Sequence, residues 1–114
     1  MKNLASICKA LSDTNRLRII KMLEIRPLCV CEISSVLSLA YSTVSKHLSI
    51  LQKAGIIEYQ KRGKWYYYHR KCLSGSEYLE TLLPQIERWL NDDEIVSVDA
   101  KKVKNFSTEE ICTL

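Results

Sequence analysis

Two cysteines stand one residue apart in the segment PLCVCEI, at positions 29 and 31. Such a pair is typical of a ligand set for a soft ion, of a redox couple, or of two small buried hydrophobes. Residues i and i+2 of a helix point about 200° apart, so two thiols inside a helix would not converge. In an extended turn ahead of a helix, Cys29 and Cys31 can converge, and thiolates select soft acceptors over Mg²⁺ or Ca²⁺.

The residues around the pair place it at the start of a helix. Pro27 disfavours a helical residue before it, which ends the preceding helix and puts Cys29 near the beginning of the next one, with Cys31 in its first turn. There the helix dipole and exposed N–H groups are expected to lower the pKa of the thiols. Glu32, beside the pair, is as consistent with a surface charge as with a ligand. Binding both sulfurs to one ion would distort the first turn.

A third sulfur would have to come from Cys8, Cys72 or Cys112, or be absent. Cys8 lies on the apolar stripe of the first predicted helix and is interpreted as a core or interface residue. Cys72 ends a predicted strand and is interpreted as structural. Cys112 is expected on a mobile tail that can reach the pair, so it is the favoured third ligand. The odd cysteine count and the absence of a signal-peptide pattern predict reduced thiols in a cytoplasm.

The net charge of +4 is unevenly distributed along the chain. Residues 46–71 carry seven Lys or Arg against Glu58 alone, whereas residues 72–114 have a net charge of −5. A concentrated positive segment is typical of a protein that binds a polyanion, although a solvated basic face has the same composition. With 46% hydrophobic and 26% charged residues, the composition is that of an ordinary globular domain, and no apolar run is long enough to span a membrane.

The spacing of apolar residues predicts four helices in the first half of the chain. They cover residues 2–11, about 14–25, 30–37 and 41–53, with a three-residue connection at 38–40. Two short helices joined by so short a connection form a helix-turn-helix. The fourth helix is its second, recognition helix.

A β-hairpin is predicted directly after these helices. Strands at 56–60 and 65–69 bracket a basic tip that contains Gly63, and a hairpin in this place is the wing of a winged helix-turn-helix. Its aromatic residues are expected to pack mainly on the core. A last helix over 76–90 carries Pro84 and a broad apolar stripe, which together with the first helix predicts a homodimer interface.

The chain is therefore expected to be mainly α with a β-hairpin wing. Residues 1–91 are predicted to form one winged helix-turn-helix domain for DNA binding and dimerisation. Residues 92–114 are predicted to form a polar, mobile tail.

The predicted DNA-binding residues lie on two elements. In a helix-turn-helix the N-terminal residues of the second helix meet base edges in the major groove. Here these are Tyr41, Ser42, Thr43, Ser45, Lys46 and His47. His47 is as consistent with a structural histidine as with a DNA contact. The cations at the wing tip are predicted to contact the DNA backbone or minor groove; they are Lys61, Arg62 and Lys64.

Five segments, in this order and spacing, resemble the ArsR/SmtB family of metalloregulatory repressors. They are ALSDTNRLRI (10–19), LCVCEI (28–33), STVSKHLSIL (42–51), AGII (54–57) and KRGKWYYYH (61–69). The resemblance implies a dimeric winged helix-turn-helix repressor that releases operator DNA on binding a metal or metalloid. The LCVC segment resembles the branch that senses arsenite or antimonite, and a related branch that senses cadmium and lead.

Three positions depart from the family pattern. Ser34 stands where many arsenite sensors carry a third cysteine, which leaves the coordination number open. Ala40 stands where a capping Ser or Thr often precedes the recognition helix. Residues 76–90 contain no histidine, whereas the zinc sensors of the family place His and Asp ligands on the last helix. The last departure argues against a zinc sensor of that kind.

We therefore interpret the chain as a cytoplasmic, homodimeric repressor that binds double-stranded operator DNA. It is expected to release the DNA when Cys29 and Cys31 bind As(III) or Sb(III), because the third helix packs under the recognition helix and a distorted first turn would shift it. One alternative is a Cd(II) or Pb(II) sensor on the same scaffold.

Two further classes of function would use the cysteines differently. A thiol redox regulator would need a remote partner, since a disulfide between residues i and i+2 closes a small strained ring. An enzyme with a cysteine nucleophile is not expected, because it would need a positioned base and an oxyanion pocket. Only His47 and His69 are available as bases, and both lie on the predicted DNA-binding face.

Overall fold

The computed structural model describes residues 1–71 and 76–106. Within that part the chain forms six α-helices and three β-strands. In chain order these are α1 (Lys2–Leu11), α2 (Thr14–Leu23), β1 (Leu28–Cys29), α3 (Val30–Leu37), α4 (Tyr41–Lys53), β2 (Ile57–Arg62), β3 (Trp65–Arg70), α5 (Glu77–Arg88) and α6 (Glu94–Asn105). Among these helices none combines the length and apolarity that crossing a lipid bilayer requires.

The four helices predicted for the first half of the chain are confirmed, with α2 ending two residues early. Asp13 begins α2, because its carboxylate accepts the backbone N–H of Asn15 at 2.8 Å and of Arg16 at 3.2 Å. At the C-terminal end of α4, Gly55 follows the last turn with φ +82°, a left-handed conformation that favours glycine. Helices α3 and α4 form the expected helix-turn-helix.

The connection between α3 and α4 is held by a buried serine. The Ser34 hydroxyl donates to the carbonyl of Leu39, and the Leu39 N–H donates back to the Ser34 carbonyl at 3.3 Å. Between them Ser38 takes the left-handed conformation, with φ +55°. Ser34 departs from the arsenite-sensor pattern, and in this chain its hydroxyl closes the turn of the helix-turn-helix.

The three strands form one antiparallel sheet in the order β1–β3–β2. The hairpin of β2 and β3 confirms the predicted wing, with Arg62 paired to Trp65 across a two-residue turn. Gly63 occupies the first central position of that turn with φ +63°, as a type II′ turn requires. Strand β1 was not predicted; its two residues pair with Tyr68 and Tyr67 of β3.

Helix α5, Glu77–Arg88, confirms the helix predicted over residues 76–90 and is slightly shorter. Its apolar stripe is largely used within the chain, since Leu79, Leu83 and Ile86 are buried in the common core. The ammonium group of Lys21 on α2 caps its C-terminal end, where it donates to the Glu87 carbonyl at 2.9 Å and to the Ile86 carbonyl at 3.4 Å.

The mobile tail expected from residue 92 onward is wrong for residues 94–105, which form α6. Asp93 caps its N-terminus by accepting the N–H groups of Ile95 and Val96. On its inner side Asp99 accepts two bonds from the Arg18 guanidinium of α2, at 2.8 and 3.0 Å. Residues 107–114, and with them Cys112, lie outside the described residues.

Candidate functional site

Cys29 and Cys31 converge at the junction of β1 and α3. Cys29 is the last residue of the strand and the N-cap of the helix, with extended backbone angles of φ −87° and ψ 166°. Cys31 is the second residue of α3, and the two Sγ atoms are 2.6 Å apart. Cys29 is 2% exposed and Cys31 6%. Convergence ahead of a helix is therefore the geometry that the spacing predicted, whereas ion binding by the pair stays a prediction.

Glu32 is not a surface charge. It is 0% exposed, and its carboxylate accepts the backbone N–H of Cys29 at 3.0 Å and a guanidinium N–H of Arg26 at 2.9 Å. The bond to Cys29 is one half of a capping box at the start of α3. Glu32 thus fixes the backbone that carries the two sulfurs, and Arg26 neutralises its buried charge.

The pKa of the Cys31 thiol is raised above its ordinary value. Burial is the main cause and the neighbouring Glu32 carboxylate adds to it, while backbone N–H groups at the helix start act in the opposite direction. The expected lowering of the pKa by the helix N-terminus is therefore wrong for Cys31. A thiol with a raised pKa is protonated at neutral pH, so binding of an ion there has to release a proton.

The side chain of Tyr67 on β3 packs against the cluster formed by Cys29 and Cys31. This contact follows from the pairing of β1 with β3, in which Cys29 lies opposite Tyr67. From the sequence, Cys29 and Cys31 were predicted to lie next to the helix-turn-helix, and no contact with the wing was predicted. The sulfurs in fact lie between α3 and the strand that continues into the wing.

No third ligand is found in the part of the chain that the structure describes. Within residues 1–71 and 76–106, no group of three or more His, Cys, Asp or Glu side chains is arranged to hold a metal ion. Cys8 is exposed on α1, so its interpretation as a core residue is wrong for the single chain. Cys72 and Cys112 both lie outside the described residues, and a third ligand stays a prediction.

The predicted DNA-binding residues form one exposed side of α4 and the wing tip. The exposed residues are Tyr41, Ser42, Thr43, Ser45, Lys46, Lys61, Arg62 and Lys64. The opposite face of α4 buries Val44, Leu48 and Leu51. His47 differs from the others because it is partly buried and its Nδ1 atom lies 3.1 Å from a guanidinium nitrogen of Arg16, a contact that sequence reasoning missed.

Several aromatic residues of the wing lie on its outer surface, contrary to the expectation that they pack mainly on the core. Tyr59 and Tyr66 are both exposed, and their rings meet edge to face with centroids 5.2 Å apart. The ammonium of Lys61 lies 5.8 Å from the centre of the Tyr66 ring. The outer face of the wing is therefore an aromatic surface with a cation on it.

A family model described as bacterial regulatory protein, arsR family, matches residues 13–59. An uncharacterised HTH-type transcriptional regulator of Methanocaldococcus jannaschii is 46% identical over 66 residues, which are 57% of this chain and 74% of that protein. A homologue of the cadmium resistance transcriptional regulatory protein CadC from Staphylococcus aureus is 39% identical over 67 residues, 58% of this chain and 55% of that one. The arsenical resistance operon repressor of Escherichia coli is 38% identical over 61 residues, 53% of this chain and 52% of the repressor. The chain thus spans about half the length of the last two proteins.

Solved structures share the fold. Reduced HlyU from Vibrio cholerae superimposes with a TM-score of 0.63 at 28% identity, covering 76% of this chain and 87% of HlyU. A homodimeric winged helix-turn-helix DNA-binding domain from Mycobacterium bovis, described as a possible ArsR-family regulator, superimposes with a TM-score of 0.61 and covers 93% of this chain and 88% of that domain. At 20% identity, this second likeness concerns the fold alone.

Proposed function

Because the chain belongs to the ArsR family of transcriptional regulators, we propose that it is a repressor that releases operator DNA when Cys29 and Cys31 bind As(III) or Sb(III). The observation that carries this proposal is the convergence of the two sulfurs, 2.6 Å apart, at the start of α3. Similarity to cadmium and arsenical resistance regulators supports a metal or metalloid inducer. The family is one of DNA-binding regulators and not of enzymes.

The donor atoms at the site favour a soft ion. The two sulfurs are soft ligands, and the carboxylate nearest to them is already engaged by Cys29 N–H and Arg26. Neither histidine completes a zinc site, since His47 contacts Arg16 and the Nδ1 atom of His69 contacts the carbonyl of Arg70. A pair of thiolates without an imidazole suits As(III), Sb(III), Cd(II) or Pb(II) better than a hard cation.

The position of the sulfurs suggests how binding reaches the DNA. An ion held by both sulfurs would set their spacing, and so would shift the end of β1, which is paired to the wing, relative to the first turn of α3, which packs on α4. The two DNA-binding elements would then no longer fit the operator together. The inducer must bind the DNA-free conformation more tightly, and DNA must weaken inducer binding by the same factor.

The proposed DNA contacts are the exposed residues of α4 in the major groove and the three cations of the wing tip on the backbone or minor groove. We further propose that the repressor is a homodimer that reads an inverted repeat. Its α1 and α5 expose apolar side chains on the single chain, Leu4 and Tyr78 among them, and Trp89 just after α5 is 58% exposed.

The decisive first experiment is a titration of the operator complex with As(III), Sb(III), Cd(II), Pb(II) and Zn(II), with DNA release as the readout. As(III) and Sb(III) are expected to release the operator at the lowest concentrations. Release by Cd(II) or Pb(II) alone would favour the alternative sensor, and release by Zn(II) alone would contradict a soft-ion site.

A second experiment addresses the proposed third ligand. A partial loss of As(III) affinity in Cys112→Ser would identify Cys112 as the third ligand, and no change would leave a site of two protein sulfurs.

A second candidate function is a thiol redox regulator, and it has its own support. The sulfurs of Cys29 and Cys31 are in contact, and a similar fold has been solved as reduced HlyU. Because residues i and i+2 close a strained ring, one of the pair would join a remote cysteine. Two thiols would then give two electrons and two protons to a peroxide, forming one S–S bond and two waters. Release of DNA by peroxide but not by As(III) would favour this function.

A further inference from the structure

Arg16 links the C-terminal end of α1 to the recognition helix. Its side chain is 8% exposed. Its Nε donates to the Ala10 carbonyl at 2.9 Å and one terminal nitrogen donates to the Lys9 carbonyl at 3.0 Å. The other terminal nitrogen lies 3.1 Å from Nδ1 of His47. Both carbonyls belong to the last turn of α1, where carbonyl groups have no partner within their own helix. A buried guanidinium thus joins three helices and holds the His47 ring.

This contact determines which ring nitrogen of His47 carries the proton. A guanidinium has donors and no acceptor, so Nδ1 must be the acceptor and the proton of the neutral ring is on Nε2. The carboxylate of Asp13 lies nearby, but it is engaged by the N–H groups of Asn15 and Arg16. Within the described residues, Nε2–H of His47 has no hydrogen-bond partner in the protein. The partly exposed ring of His47 therefore carries an N–H donor of fixed orientation on the recognition helix, and this donor is not used within the described residues.

The position of His47 on α4 indicates where on DNA this donor points. At about 100° per residue, His47 lies roughly 60° around the helix from the buried Val44 and 100° from Lys46, which is exposed. It therefore stands at the border between the buried face and the face that enters the groove. A side chain at this border meets the rim of the groove, where the phosphates are, and not the base edges at its floor.

We propose that His47 is a neutral hydrogen-bond donor to an operator phosphate, and that Arg16 is the positioning residue that fixes its tautomer and ring orientation. This inference deepens the DNA-binding half of the proposed function and does not depend on any inducer. A neutral donor displaces no counterion, so it adds affinity without contributing to the salt dependence of binding. It also adds the same affinity on operator and on unrelated DNA, because a phosphate carries no sequence information.

The test combines NMR with DNA binding, both without any metal or metalloid. Long-range proton–nitrogen correlation in protein labelled with ¹⁵N should show the Nε2–H tautomer for His47. His47→Ala should weaken binding at least about fivefold on both operator and unrelated DNA, with an unchanged slope of log K against log salt. His47→Gln, which keeps an amide donor near the position of Nε2, should recover most of the loss. Ser97→Ala, an uncharged change at an exposed residue of α6, is the control and should bind as the wild type does.

Arg16→Lys tests the positioning role. It should give a mixture of His47 tautomers and weaken binding as much as His47→Ala, and the double variant should be no weaker than either single one. The proposal is overturned if His47 is the Nδ1–H tautomer in the folded wild-type protein, or if His47→Ala binds DNA as tightly as the wild type. A loss confined to operator DNA would also overturn it, because it would assign His47 to a base edge. If Arg16→Lys does not fold, the tautomer in the wild-type protein and the DNA affinities of His47→Ala and His47→Gln still test the proposal.

Discussion

Cys29 lies opposite Tyr67 in the antiparallel pairing of β1 with β3, and the Tyr67 side chain packs against the cluster formed by Cys29 and Cys31. The proposed sensing pair therefore contacts the wing as directly as it contacts the helix-turn-helix. From Tyr67 the strand runs only two residues back to Trp65, at the basic tip of the hairpin. A displacement of either sulfur has a short path to both DNA-binding elements.

Replacing Tyr67 by alanine should therefore uncouple ion binding from DNA release. We expect As(III) to bind Tyr67→Ala about as tightly as the wild type, because every sulfur ligand is retained, but to release the operator only at concentrations at least threefold higher. Affinity for As(III) and release of a labelled operator should be measured on the same preparation. Tyr67→Phe keeps the ring and is the control. If the As(III) affinity and the As(III) concentration that releases the operator change together, or if neither changes, the result would argue against coupling of ion binding to DNA release through the wing.

The cap of α2 gives the chain a pH-dependent contribution to its stability. Burial acts to raise the pKa of the Asp13 carboxyl, but the N–H bonds from Arg16 and Asn15 prevail and the pKa is lowered from 3.8. A carboxyl with a lowered pKa in the folded state stabilises the fold above its unfolded pKa, and this stabilisation is lost as the pH falls through the folded pKa.

Asp13→Ala should thus cost about 1 kcal/mol in the free energy of unfolding at pH 7, as the loss of a cap does. Asp13→Asn should keep most of the stability at pH 7 and show a shallower decline between about pH 5 and pH 3. Urea unfolding at a series of pH values measures both. An Asp13→Asn variant that loses stability with acid as steeply as the wild type would show that another group is responsible.

The pair of Arg18 and Asp99 should hold α6 on the domain. Asp99 is 3% exposed and accepts two bonds from Arg18, and hydrogen bonds to charged groups contribute roughly 1.5–3 kcal/mol. We expect Asp99→Ala to lower amide protection throughout α6 before it affects α4, measured by hydrogen exchange. Glu94→Gln, an exposed change on the same helix, is the control. Amides of α6 that exchange in the wild type as fast as in an unfolded chain would restore the expectation of a mobile tail.

Helix α6 also shows where reasoning from sequence stops. Val96, Ala100 and Val103 recur at helical spacing in α6, but this apolar stripe is short and its buried side also includes a carboxylate, Asp99, whose partner Arg18 lies 81 residues away. The first four helices were predicted because their buried residues recur at helical spacing and because Asp13 and Gly55 mark boundaries. A long-range ion pair leaves no such periodic pattern.

The candidate site was predictable in its position and not in its surroundings. The spacing of Cys29 and Cys31 after Pro27 was enough to place the sulfurs at a helix start. Strand β1 has only two residues, too few to show an alternating pattern, so the contact with Tyr67 was missed. The capping box was missed because its N-cap is a cysteine where Ser or Thr is the usual signal.

Binding to DNA should depend steeply on salt through the wing tip. We expect log K for the operator to fall with log salt with a slope of about −5 or steeper. The triple alanine variant of Lys61, Arg62 and Lys64 should flatten that slope by roughly 0.9 for each phosphate that the wing no longer neutralises. Sequence preference should change little. The matched control removes three exposed lysines of α6, which are Lys101, Lys102 and Lys104. Equal flattening in both variants would mean that total charge, and not the wing, sets the slope.

The most direct test of the proposed function is operator release by the double variant Cys29→Ser, Cys31→Ser. Serine is tolerated at a helix start, so the variant should fold and bind operator DNA within about threefold of the wild type. Its hydroxyls cannot replace soft thiolates, so As(III) and Sb(III) should no longer release the DNA. Cys8→Ser, a change at an exposed cysteine of α1, should retain the wild-type response. If the double variant still releases operator DNA at the wild-type concentration of every soft ion tested, Cys29 and Cys31 are not the sensor.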